Sequence, residues 1–147
     1  TEAWEPGTKV RDVFQNSTAV SGDVHAATDP DWQELHEKLN ASIIGHGPTF
    51  CKFTGSRGKY GANDAHPEYI GWLRGVLNRK NIPWQMAELG KTDAGGGGTV
   101  AKFMAQRNID TLDAGVPVLS MHAPYETVAK LDCYMTYKCM KAIFEQA

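Results

Sequence analysis

Residues 49–89, TFCKFTGSRGKYGANDAHPEYIGWLRGVLNRKNIPWQMAEL, hold two strand-like segments around one amphipathic helix. Thr49 to Thr54 is apolar except for Lys52 and lies between Gly-Pro and Gly-Ser pairs, which reads as a strand. From Asp64 to Asn81, the residues Tyr69, Leu73, Val76 and Leu77 recur at helical spacing. Asn63 or Asp64 can cap that helix, and Asn81 with Pro83 stops it. Pro83 to Leu89 then resumes as a strand. This order predicts an α/β fold, a sheet covered by helices.

The same alternation extends in both directions. Upstream, Thr18 to Val24 is short and β-prone and reads as a buried strand, while Val10 to Gln15 fits a short helix or an irregular lead-in. Asp29-Pro30-Asp31 opens a polar helical turn through Lys38. Downstream, a helix is expected over Thr99 to Gln106 and strands over Thr111 to Asp113 and Pro117 to Met121. A last helix runs from about Glu126 to Gln146, with Leu131, Met135, Ala142 and Ile143 facing inward.

No repeat or linker divides residues 1–147, so the length fits a single domain. Fifteen basic residues against seventeen acidic ones leave a formal charge of -2. That balance argues against a nucleic-acid-binding or membrane-surface protein, and no apolar run approaches the roughly 20 residues of a membrane span. Cys51, Cys133 and Cys139 have no paired metal spacing and read as reduced thiols of a cytoplasmic protein.

Several residues could carry chemistry. The run Gly95, Gly96, Gly97, Gly98 lies between a strand and a helix, where backbone can approach a ligand closely. It could cradle a phosphate, serve as a plain turn, or line a site for a peptide or carboxylate. The P-loop pattern is not met, because Thr99-Val100 follows the last glycine. His122 leaves an apolar strand, at the edge where α/β sheets build their sites, although a lone histidine is more often structural. Asp23 ends another strand with His25 two residues on; the two share a strand face and could both face a cation, though a surface turn explains the pair at least as well. Lys52 either points to solvent by alternation or neutralises an anion. Arg57 and Lys59 could bind an anion but read more simply as solvated loop charge.

Four blocks together resemble the M18 aminopeptidases, a family of dinuclear metallo-aminopeptidases. Ser21-Gly22-Asp23-Val24, followed by Ala26-Ala27-Thr28-Asp29-Pro30, is similar to the segment that supplies an aspartate metal ligand. Phe50 to Tyr60 (FCKFTGSRGKY) resembles the family's lysine-bearing strand and loop. Glu88 to Thr99 (ELGKTDAGGGGT) resembles the glycine loop of its bacterial branch, and Asp113 to Glu126 (DAGVPVLSMHAPYE) the block with its histidine ligand. Order and spacing agree from about Asn16 to Gln146, with Ala123 standing where the family more often has Ser.

The resemblance implies a three-layer zinc-peptidase fold of the phosphorylase/hydrolase-like kind, present here in part. It implies Asp23 as a ligand of one metal and His122 as a ligand of the other. Lys52, Asp93 and the glycines Gly95, Gly96, Gly97 and Gly98 would bind substrate. The cofactor would be two divalent ions, zinc with manganese or cobalt as substitutes, and the substrate a peptide. The family's His-x-Asp block, bridging aspartate and Glu-Glu pair have no counterpart in these residues. The chain is therefore expected to be the C-terminal portion of one catalytic domain, inactive alone, homo-oligomeric at full length, with its general-base glutamate upstream. The rival readings are an anion- or nucleotide-binding α/β module built on the Gly95–Gly98 loop, and an assembly fragment.

Overall fold

A computed structural model describes residues 5–57, 60–91 and 93–146. Nine strands and four α-helices alternate among these residues. In chain order they are α1 (Val10–Gln15), β1 (Thr18–Gly22), β2 (His25–Ala26), β3 (Thr49–Cys51), β4 (Phe53–Ser56) and β5 (Tyr60–Asp64). There follow α2 (Pro67–Arg79), β6 (Gln85–Met86), α3 (Ala101–Ala105), β7 (Asp110–Gly115), β8 (Pro117–Leu119), β9 (Thr127–Val128) and α4 (Lys130–Phe144). The α/β expectation holds.

A four-stranded mixed sheet in the order β1-β7-β3-β6 forms the centre. β1 runs parallel to β7 and β3 antiparallel to it. Alternation along β7 gives the sheet two different faces. Leu112 and Ala114 join Phe50, Leu73, Val76, Leu77, Cys139 and Ala142 in the apolar core under α2 and α4. Thr111 and Asp113 point the other way, toward the side where α3 packs on β7 and β1. Full burial of Leu73 and Leu77 against the sheet contributes on the order of 2 kcal/mol each.

β1 and β7 continue into a second sheet together. Beyond β1 the Asp23 amide donates to Ala114 O, His25 to Val116 O and Ala27 to Val118 O. β2 thus pairs with β8 in parallel, and β9 closes that sheet from the far side. The two chain segments, 18–27 and 110–118, run in step and change sheets at the same level.

Several boundaries differ from the sequence expectation. The helical turn over 29–38 reduces to a single 3₁₀ turn at Gln33–Leu35. Asp29 Oδ1 accepts from the Asp31 amide at 2.9 Å, and Trp32, Leu35 and Leu39 are all exposed, so no apolar face holds a helix there. The Thr49–Thr54 strand breaks at Lys52 into β3, in the central sheet, and β4, in a hairpin with β5. β1 is an edge strand on which Ser21 alone is buried. α2 begins at Pro67, whose missing N–H suits the first helical position. α4 begins at Lys130 because Thr127 and Val128 pair with β8 instead.

The inward stripe of α4 is also rotated. Ala142 and Ile143 are buried as expected, but Leu131 is 51% exposed while Asp132 is fully buried. The reason is polar: the Asp132 carboxylate accepts from the Gly45 amide at 2.6 Å and the Gly47 amide at 2.8 Å. Those bonds strap the 43–48 loop, which leads into β3, against the helix.

Candidate active site

One cavity of ≈ 260 Å³ opens at the carboxyl ends of the parallel strands β1 and β7. Asp23 and His122 both line it, together with Gly96, Gly97, Gly98 and the buried Asp113. Asp23 and His122 stand far apart in sequence and come together because β1–β2 and β7–β8 run side by side.

Asp23 sits in the turn between β1 and β2. Its Oδ1 accepts from the Val24 amide at 2.8 Å, which orients the carboxylate, and its own amide is held by Ala114 O. Gly115 makes this approach possible. A Cβ at that position would lie 1.1 Å from Asp23 O, so only glycine fits.

His122 follows β8 on a backbone of unusual shape. Ser120 and His122 have φ of 56° and 69°, left-handed values that cost side-chain-bearing residues about 1–3 kcal/mol. The His122 amide donates to Glu126 Oε1 at 2.5 Å, and the Ala123 amide to Ser120 O at 3.0 Å. The turn holds the exposed imidazole at the cavity mouth.

The glycine run forms the opposite wall. Gly97 O accepts from the Gly55 amide at 3.0 Å, and a Cβ on Gly96 would sit 2.0 Å from Gly55 O. Backbone therefore packs directly on backbone between this loop and β4. Gly95, Lys52 and Asp93 are not among the lining residues. Lys52 forms an ion pair with Asp64 on the β4–β5 hairpin side, and Asp93 is exposed in the preceding turn. Thr92, Gly58 and Lys59, which belong to the quoted loops, lie outside the described residues.

Two further residues line the cavity: His25, weighed in the sequence only as a weak partner of Asp23, and Asp113, which was given no role. His25 is buried, with Nδ1 3.2 Å from Ala26 O. Asp113 is 4% exposed, and neither of its carboxylate oxygens has a hydrogen-bond partner. Burial pushes its pKa above the ordinary aspartate value. The hydroxyls of Ser21 and Thr99 pull it back down without completing a hydrogen bond, and the charge of Asp23 raises it again. The signal was visible as an acid inside the apolar run Leu112 to Leu119.

A carboxylate and an imidazole suit a divalent metal such as zinc. No group of three or more histidine, cysteine, aspartate or glutamate side chains able to hold a metal is present among the described residues. Catalytic zinc usually takes three protein ligands, so Asp23 and His122 fit part of a donor set. An open α/β sheet with such donors at its strand ends is an arrangement that metallohydrolases use.

The chain belongs to the M18 family: the profile described as Aminopeptidase I zinc metalloprotease (M18) matches residues 3–144. It is 44% identical over 135 residues to a probable M18 family aminopeptidase 1 of Thermotoga maritima, covering 92% of this chain and 30% of that protein. It is 49% identical over 128 residues to the corresponding protein of Clostridium acetobutylicum, covering 87% of this chain and 28% of that one. The crystal structure of the Thermotoga maritima M18 aminopeptidase superposes with a TM-score of 0.86 over 91% of this chain and 30% of that chain. Aminopeptidase I from Clostridium acetobutylicum gives 0.86 at 47% identity, over 92% of this chain and 30% of that one. The chain thus spans about 30% of the length of the relatives it matches.

Proposed function

We propose that this chain is the C-terminal portion of the catalytic domain of a metal-dependent aminopeptidase, which releases N-terminal residues from peptides. The observation that carries the reading is the convergence of Asp23 and His122 on one cavity walled by Gly96, Gly97 and Gly98. Asp23 would bind one of two divalent ions and His122 the other, with zinc the resident metal. When bound, such ions polarise the scissile carbonyl and lower the pKa of a water.

The chain's own residues have narrower tasks. Val24 N–H orients the Asp23 carboxylate, and the Ser120–Ala123 turn fixes the imidazole. The glycine backbone lets an extended peptide lie close, and Asp93 stands at the entrance to that loop. Lys52 would reach substrate only by exchanging its Asp64 partner, an exposed pair worth about 0–1 kcal/mol.

Because the chain spans about 30% of the length of its relatives, this reading assigns the general-base glutamate to the remainder and holds the chain alone to be inactive. Exposed Leu39, Tyr125 and Phe144 suit burial against further polypeptide or other subunits of a homo-oligomer. Cys51, Cys133 and Cys139 form no disulfide among the described residues, which suits the cytoplasm, and no helix among those residues is long and apolar enough to cross a membrane.

The test is a chimera in which this chain replaces the matching segment of the Thermotoga maritima relative. Zinc-dependent hydrolysis of an aminoacyl-anilide is expected, and loss of it in Asp23→Asn and His122→Ala. A folded chimera without activity, or activity that survives both substitutions, refutes the assignment.

A further inference from the structure

Among the described residues, the cavity lining carries two carboxylates, two imidazoles and no lysine or arginine. It is built for a cation or a hydrogen-bond donor. Asp23 has a donor in Val24, but Asp113 has none. Asp113 stands in the middle of β7, in register with Ser21 of β1 and Cys51 of β3, so all three side chains share the cavity-side face.

A carboxyl group that is 4% exposed and makes no hydrogen bond is costly to keep. It lies on the wall of an open cavity, where a ligand can supply what the fold withholds. A ligand with both positive charge and N–H donors satisfies the two carboxylate oxygens and their desolvated charge at once. A primary ammonium has this chemistry in compact form.

We infer that Asp113 is a ligand-binding residue of the cavity and that its carboxylate receives a primary ammonium group, the free amino end of the bound peptide. This deepens the aminopeptidase reading and rests on it for the identity of the ligand. The ammonium would enter between the glycine wall and β7, with the unpartnered Ser21 hydroxyl beside Asp113. Acetylating the amine removes both the charge and two of the donors, so an N-acetyl peptide would leave Asp113 unsatisfied.

The experiment is an amide NMR titration of the 147-residue chain at neutral pH. Leucinamide is expected to shift the resonances of Asp113, Ala114, Gly97 and Gly98, while N-acetyl-leucinamide leaves them unmoved. Asp113→Asn should weaken leucinamide binding by about tenfold or more. Equal shifts from the two ligands, undiminished binding in the variant, or no shift from leucinamide at any attainable concentration would overturn the assignment. Should the variant fail to fold, the comparison of the two ligands on the unaltered chain still decides. Zinc chloride is titrated separately and reads Asp23 and His122. A failed metal site is thereby distinguished from a failed ammonium site.

Discussion

Gly115 and Asp23 touch through their backbones so closely that no side chain fits between them: a Cβ on Gly115 would lie 1.1 Å from Asp23 O. The position of the proposed metal-binding carboxylate is thus set by a glycine on a different strand. Gly115→Ala should force the two strands apart and destabilise the chain by about 3 kcal/mol. In the chimera it should abolish zinc-dependent hydrolysis. Gly71→Ala, on the exposed face of α2 with nothing within 4 Å of its new Cβ, should instead stabilise by about 0.5–1 kcal/mol. Urea unfolding of both variants checks the contrast.

Asp132 offers a second test. Its carboxylate is fully buried and satisfies the amides of Gly45 and Gly47. Asp132→Ala strands both donors and should cost about 3 kcal/mol. Hydrogen exchange at the Gly45 and Gly47 amides should accelerate more than exchange in β7.

Cysteine labelling reads the core directly. Cys139 is buried and its thiol is pushed up to about 12 by desolvation, Cys51 is buried, and Cys133 is exposed. Mild alkylation of the folded chain should add one group, at Cys133, and alkylation in denaturant should add three, as counted by mass spectrometry.

Asp113 makes stability fall as pH rises. Its pKa is raised in the folded chain, chiefly by burial, so the folded state holds the proton to higher pH than the unfolded state. This contribution is fully present below the unfolded aspartate pKa of about 3.9 and is lost as pH rises through the folded value. Asp113→Asn cannot ionise. The stability of the parent chain relative to that variant should be greater in mild acid than at neutral pH, measured by urea unfolding at each pH.

The α/β class and α2 were legible because apolar periodicity reports burial on a regular element, whereas the strand expected over Pro83 to Leu89 shrinks to Gln85–Met86. Lys52 was legible as an interruption, and it lies between the end of β3 at Cys51 and the start of β4 at Phe53. The β5 strand was missed, since Tyr60 to Asp64 pairs in a hairpin with only Asn63 buried and carries little pattern. Leu131 and Asp132 show the opposite failure: hydrophobicity favours Leu131 as the inward residue, but two distant glycine amides draw Asp132 in. In the site, Asp23 and His122 were raised by their places at strand ends and assigned as metal ligands by the resemblance, and the cavity brings them together. Asp113 was passed over because a single acid in a strand says nothing about its neighbours until Ser21 and Cys51 are seen in register with it.

The paired run of 18–27 beside 110–118 also has a temporal side. A ribosome synthesises residues 18–27 before residues 110–118, the partner they have among the described residues, so this pairing waits for about 80 intervening residues. Joining segments so distant in sequence is slow, because the intervening loop must close before the contacts form. The Asp23 turn is therefore among the last features to settle during biogenesis, and a nascent chain stalled before β7 would expose the unpaired edge of β1 to other polypeptides.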